Sequence, residues 1–312
     1  MPQRIASRFG IGEWYGHSFV RLTSEQRKAY AKIAPVQTPK NAPPCPFLSN
    51  QTIVTPCTKK GGICSLRLYD YVEGAAAEPV SGDDGKLRVV CPHRFKQNGT
   101  IYSKVSDVII GTDMPVVIPE VRFLRRNNTA ITVDTEVPAN SKSEDVGNID
   151  IVLVNTNTPV LNWCALEIQA VYFSGEKMKL LFSHIENYSG DGIPFPDKIR
   201  RPDYRSSGPK RLMPQLQIKV PTLRRWGKKM AVVVDVTWFR MNVVGVETVS
   251  DISNCDIAWV LVDFDESTDP ATLIVAGLEL QTLEHAVEGL TGGFPVTLSE
   301  FESKIREKML RV

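Results

Sequence analysis

The 312-residue chain reads as an α/β protein: a mixed central sheet flanked by helices, preceded by a loop-rich module with four cysteines. Three observations predict this. Short Val/Ile-rich runs alternate with helical patterns beyond residue 115. Cys45, Cys57, Cys64 and Cys91 fall in Gly- and Pro-rich surroundings. One stretch, Gly147 to Gln169, sets carboxylates into otherwise apolar strands. The expected division is 1–100 for the cysteine-bearing region and 101–312 for the α/β core.

Hydrophobic residues make up 42% of the chain and charged residues 23%, as in ordinary globular proteins. The length allows a large core and two domains. The start, MPQRIASRFGIGEWYGHSF, lacks the apolar segment of a signal peptide. No apolar run approaches the roughly 20 residues of a membrane span. Tandem repeats are absent, and the expected location is the cytoplasm. Net charge is only +2, but it is unevenly placed. Residues 198–229 hold eleven Lys or Arg against one acid, Asp203, while residues 247–288 hold ten acids and no Lys or Arg. One strongly cationic surface points to a polyanion as partner.

In chain order, Ser24 to Ile33 is expected to be helical, with Thr23 and Gln26 in a capping box and Pro35 ending it. No other element is expected in the first 33 residues. The Pro-rich stretch APVQTPKNAPPCPF reads as linker or loop. Ser103 to Ile110 has helical or strand character. Val116 to Leu124 reads as a strand, followed by a turn at Asn127-Asn128 and a second strand over 130–137. Glu120, on the first of these, is a supplementary metal ligand or base, or else an acid paired with Arg122 or Arg125. Asn140 to Gly147 looks like a loop. Ser174 is expected to cap a helix over 175–188, in which His184 is structural. Met230 to Phe239, Ile257 to Phe264 and Leu273 to Leu280 are strand candidates. Helices are expected over 279–290 and 299–310.

The cysteine spacing is C-x(11)-C-x(6)-C-x(26)-C, with no CxxC pair and so no standard zinc ribbon. Disulfides do not suit a cytoplasmic protein. Four thiolates on such loops make a tetrahedral site for zinc or iron, the alternative being four unrelated thiols. His93, two residues after Cys91, is a substitute ligand or a neighbour of the site. Cys164 and Cys255 sit in apolar strand contexts and read as core.

Within GNIDIVLVNTNTPVLNWCALEIQ, Asp150 lies on the first apolar strand and Glu167 and Gln169 on the second. Side chains two apart in a strand share a face. Paired strands would therefore gather two carboxylates and an amide at one sheet edge. Burying two acids is costly unless something neutralises them, and a divalent cation does this best. Asp235, Asp263 and Asp265 are competing strand acids without an E-x-Q partner. The basic segment combines Arg, Lys, Ser, Tyr and Trp with prolines that keep parts of it extended. Such groups suit phosphate contacts and guanine edges.

CPF at Cys45, GGIC at Cys64, VCPHR at Cys91 and LEIQ at Leu166 occur in an order that resembles the NotI restriction endonuclease family. The resemblance spans about Cys45 to Phe173 and implies a PD-(D/E)xK nuclease core with Gln in the usual Lys position. Here no Pro precedes Asp150, and its strand aligns least securely. By this resemblance Cys45, Cys57, Cys64 and Cys91 hold a structural iron, with zinc as the alternative. Asp150 and Glu167 bind Mg²⁺, and Gln169 orients the attacking water. The implied enzyme is a type II restriction endonuclease, a homodimer that cuts both strands of double-stranded DNA at a short GC-rich palindrome. Expected DNA contacts are Arg200, Arg201, Arg205, Lys210, Arg211, Arg224 and Arg225. The alternatives are another nuclease on the same core, for repair or junction cleavage, and a non-catalytic metal-containing DNA-binding protein.

Overall fold

The computed structural model describes residues 4–49, 52–72, 76–125, 145–243, 245–291 and 296–309. The N-terminal part is built on a sheet. Strand β1 (Arg4–Trp14) pairs antiparallel with β2 (His17–Ser18). Helix α1 (Ser24–Ile33) follows, with both halves of the Thr23/Gln26 capping box formed. Strand β3 (Ile63–Val72) then returns antiparallel along β1, and β4 (Glu78–Pro79) and β5 (Arg88–Val89) pair with it.

This sheet corrects the expectation of loops around a lone helix. The strand pattern is hidden in RIASRFGIGEW because two of its positions are glycine. A Cβ at Gly10 would come within 2.6 Å of the Pro196 ring, and one at Gly12 within 2.7 Å of Leu87. Both glycines mark close packing over the strand rather than a break in it.

Helix α2 (Thr100–Ile110) lies between left-handed glycines, Gly99 and Gly111. Strands β6 (Val116–Arg125), β7 (Asp145–Asn155) and β8 (Asn162–Ile168) form an antiparallel run. A short ribbon, β9 (Phe173–Gly175) with β10 (Arg200–Pro202), brackets helix α3 (Met178–Glu186). Next come α4 (Tyr204–Ser207), a π-helical turn over 208–212 and α5 (Met213–Arg225). Strand β11 (Met230–Asp235) leads into α6 (Val236–Asn242), and β12 (Ile257–Asp265) into β13 (Thr272–Gln281). Helices α7 (Leu283–Thr291) and α8 (Leu298–Met309) close the chain.

The central sheet runs β13-β12-β11-β8-β7-β6. Its middle strands β8, β11 and β12 are parallel and both flanks antiparallel, as a mixed sheet requires. One face, with Val152, Ala165 and Val232, packs under α5, α6 and α7 through Leu216, Trp238 and Leu290. The other face, with Leu153, Leu166 and Val233, packs under Phe95 and α2.

The N-terminal sheet is locked to this core by Arg94, which is fully buried. Its Nε donates to Glu13, Nη1 to Gln97 and Nη2 to the Ala271 carbonyl, and its guanidinium lies between the rings of Phe47 and Phe264. An arginine in that position satisfies a carboxylate, a carbonyl and two aromatic faces at once.

Several other expectations change. The Ser174 cap is replaced by β9, where Ser174 and Gly175 pair with Arg201 and Arg200, so α3 starts at Met178. The strand expected over 230–239 ends at Asp235, whose carboxylate caps α6 by accepting from the Trp238 N–H at 2.7 Å. The basic segment is mostly helical from Tyr204 to Arg225. Pro209 and Pro214 fall in first-turn positions that prolines tolerate, and Pro221 lies inside α5. Asp145 to Gly147 is already strand. The turn at 127–128 and the strand over 130–137 lie outside the described residues. Among those residues no helix is long and apolar enough to cross a membrane.

Asp235 gives the fold a pH signature. Complete burial pushes its carboxyl up to about 6, against the N–H donors of Trp238 and Val89 and the charge of Arg88, which lower it. A folded-state value above the unfolded one makes the native chain bind the extra proton. Stability from this group is therefore full at low pH and falls as pH rises from about 4 to about 6. Relative to wild type, Asp235→Asn should gain about 2 kcal/mol between pH 4.5 and 7. Urea unfolding of both chains at the two pH values checks it, and equal pH dependence would refute it.

Candidate active site

The register that pairs Ile151 with Leu166 runs on to set Asp150 across from Glu167. Both lie on the α5 face, in step with Val152 and Ala165. The Asp150 backbone N–H donates to Glu167 Oε1 at 3.3 Å. The two acids differ sharply in setting: the Asp150 side chain is 49% exposed and that of Glu167 only 3%. Burial, helped by the charge of Asp150, pushes Glu167 up to about 7, while Lys219 acts in the opposite direction.

Lys219 is the residue that sequence reasoning missed. Its ammonium donates to Glu167 and, at 3.1 Å, to the Gln215 side-chain oxygen, and stands 3.9 Å from Asp150 Oδ1. It is buried on the face of α5 that also carries Leu216, Val220 and Leu223. The available signal was positional. A lysine at an i+3 step in an otherwise apolar helical stripe points at the sheet, not at solvent.

Gln169 follows the end of β8 and is fixed by its backbone N–H to the Val233 carbonyl at 2.9 Å. Its amide donates to the Ala170 carbonyl. Gln169 lines a cleft of about 560 Å³ together with Lys60, Tyr172, Arg200, Arg211 and Gln215. A larger groove of about 660 Å³ lies over β6 and β7 but is walled by Ile118, Phe123, Trp163 and Trp226 and brings no acid to it. The smaller cleft is the more charged of the two, and Gln215 on its wall connects it to Lys219 and so to the acid pair. Glu120 adopts a left-handed φ of 52° on β6, exposed, in the register position facing Asp150. The competing acids have other duties: Asp263 pairs with Lys86, and Asp265 accepts from the Ser267 N–H of a turn.

Cys45, Cys57, Cys64 and Cys91 are all buried and none is in a disulfide. The Pro44–Pro56 bridge brings the first two together, and the Cys91 N–H donates to the Cys64 carbonyl at 3.2 Å. A hydrogen bond from the Cys57 thiol holds Cys45 down at about 6 and raises Cys57, while burial raises Cys64 and Cys91. His93 contacts Thr58 through Nε2, and its buried Nδ1 has no partner among the described residues. Soft, buried, disulfide-free donors fit a thiophilic metal in chemistry. Their placement does not yet form a coordination shell: among the described residues no group of three or more His, Cys, Asp or Glu has metal-site geometry. Cys164 and Cys255 are buried core residues, and His184 is tied to the Phe195 carbonyl.

The family model described as restriction endonuclease NotI matches residues 30–274, which include all four cysteines, both acids, Gln169, Lys219 and the basic segment. The chain belongs to the NotI restriction endonuclease family. It is therefore a type II restriction endonuclease, a site-specific deoxyribonuclease acting on double-stranded DNA. No curated protein matches it.

In this NotI-family enzyme the basic residues divide by environment. Arg201, Arg205, Lys210, Arg211 and Arg225 are exposed. Arg211 lies over the Tyr172 ring at 4.4 Å, at the edge of the cleft. Arg200 is buried in the cleft wall, donates Nη2 to the Lys177 carbonyl, and has no partner for Nε and Nη1 among the described residues. Arg224 is engaged by Asp256 and Glu284, joining α5 to β12 and α7. Its neutralisation should leave the salt dependence of DNA binding unchanged, whereas Arg225→Ala should lower the slope of log K against log salt by about 0.9. Binding isotherms at several salt concentrations check this, and an equal drop for Arg224→Ala would contradict it.

Proposed function

We propose that the enzyme is built on a PD-(D/E)xK core and hydrolyses DNA with Mg²⁺ held by Asp150 and Glu167. The observation that carries this is the meeting of the two acids across β7 and β8, beside a cationic cleft. Bound Mg²⁺ would lower the pKa of the attacking water and stabilise the charged transition state. Asp150, half exposed, offers its oxygens towards the substrate side. Glu167, buried, fixes the position of the pair. Gln169 orients water, since a neutral amide neither accepts a proton nor carries charge. The phosphodiester lies along Arg200 and Arg211, with Arg201, Arg205, Lys210 and Arg225 contacting flanking phosphates or base edges. Arg224 contributes by holding α5 in place.

The substrate in this reading is a GC-rich palindrome, and the protein a homodimer in which each subunit cuts one strand. Residues 1–100 form the metal-bearing region, with Cys45, Cys57, Cys64 and Cys91 holding iron or, alternatively, zinc, and 101–312 the nuclease. What supports the metal is the burial of four soft donors with no disulfide among them. The working location is the cytoplasm, where such thiols stay reduced.

Digestion of a sequenced phage DNA with Mg²⁺, followed by sequencing of the ends, tests the reading. The expected result is discrete ends sharing one GC-rich palindrome, none in EDTA, and no cutting by a Glu167→Ala chain that still binds the site. Cutting by that variant would displace the acid pair from the reaction. Elemental analysis of the folded chain should find close to one iron or zinc per subunit, and metal-free folded protein would exclude the cysteine site.

A further inference from the structure

We propose that Lys219, reaching in from α5, is a positioning residue of the nuclease site and supplies the positive charge that the E-x-Q strand lacks. The inference rests on the acid-pair reading of Asp150 and Glu167. Its basis is geometric. Lys219 is 8% exposed as a side chain; its ammonium donates to Glu167 and Gln215 and stands 3.9 Å from Asp150 Oδ1. Nothing in the packing of α5 asks for a lysine there. Its neighbours on that face, Leu216, Val220 and Leu223, are fully buried, and an apolar residue of similar volume would pack at least as well as a buried ion pair. The helix instead delivers its one inward charge to the point where the two carboxylates meet.

Charge arithmetic gives that placement a purpose. Two carboxylates with one divalent cation and the neutral amide of Gln169 leave the site without net charge. Lys219 adds one net positive charge, fixed in a dry wall. Phosphodiester hydrolysis builds negative charge on the phosphoryl oxygens as water attacks, so a preset positive field stabilises the transition state more than the substrate. The same ammonium competes electrostatically with the metal for Glu167. Removing it should therefore strengthen metal binding while slowing cutting, a combination that loss of structure does not produce.

The experiment uses the full chain and Lys219→Met, whose side chain fills the stripe without charge. Mn²⁺ affinity is measured by calorimetry without DNA, as the difference from Glu167→Ala, and single-turnover cleavage is measured at saturating metal and DNA. Expected for Lys219→Met is roughly tenfold tighter Mn²⁺ binding with cleavage about a hundredfold slower. Adding Gln169→Lys, which returns a lysine to the strand, should recover part of the lost rate. Cutting at the wild-type rate, Mn²⁺ binding that is unchanged or weaker, or no Mn²⁺ binding by either chain would overturn the proposal. If Lys219→Met does not fold, Lys219→Gln is read by the same criteria, since its amide can bond Glu167 without the charge. A wild-type chain that fails to cut with Mg²⁺ would sink the acid-pair reading of the site instead. The DNA-free affinity difference still decides the role of Lys219.

Discussion

Glu167 is the constraint on which the site depends. It sits on a central strand of the sheet, nine-tenths and more removed from solvent, and a carboxylate there must be matched by something positive. The sheet arranges the acid opposite Asp150, and α5 brings Lys219 down onto it. Everything that places α5 therefore also places Lys219 against the acid pair. The Leu216, Val220 and Leu223 face fixes its depth, and the Arg224 clamp to Asp256 and Glu284 fixes its far end.

The cysteine region reaches the same cleft by backbone. The N–H groups of Val90 and Cys91 donate to Cys64, and the carbonyl of Val89 accepts from Val171, two residues beyond Gln169. Asp235 accepts from the Val89 N–H on the other side. The segment from Val89 to Cys91 thus joins the Cys64 backbone, the Asp235 end of β11 and the Val171 side of the cleft.

Legibility in the sequence followed the locality of the interactions. The Thr23/Gln26 box, the Ile257 strand and the shared side of Asp150 and Glu167 were readable because cap chemistry and a period of two are set within a few residues. The N-terminal sheet was not, since its glycines are explained only by Pro196 and Leu87, which lie far along the chain. Lys219 was hidden by its company. Among eleven basic residues it looked like one more phosphate contact, and Pro214 and Pro221 masked the helix that turns it inward. The Trp238 cap likewise looked like the middle of an apolar strand, because Val-Thr-Trp-Phe continues the hydrophobic run of β11.

Arg94 has a bearing on how such an enzyme can be re-engineered. Its guanidinium is shared between Glu13 near the start of the chain and Ala271 near the end, with Phe47 and Phe264 closing over it. Grafting the cysteine-bearing half onto another nuclease scaffold would carry Arg94 and Glu13 together but strip the buried guanidinium of the Ala271 carbonyl and the Phe264 ring. Recombination between relatives is thus restricted to exchanges that carry both halves of this contact together. New sequence specificity is more readily sought in the exposed arginines around the cleft, which no buried partner holds in place.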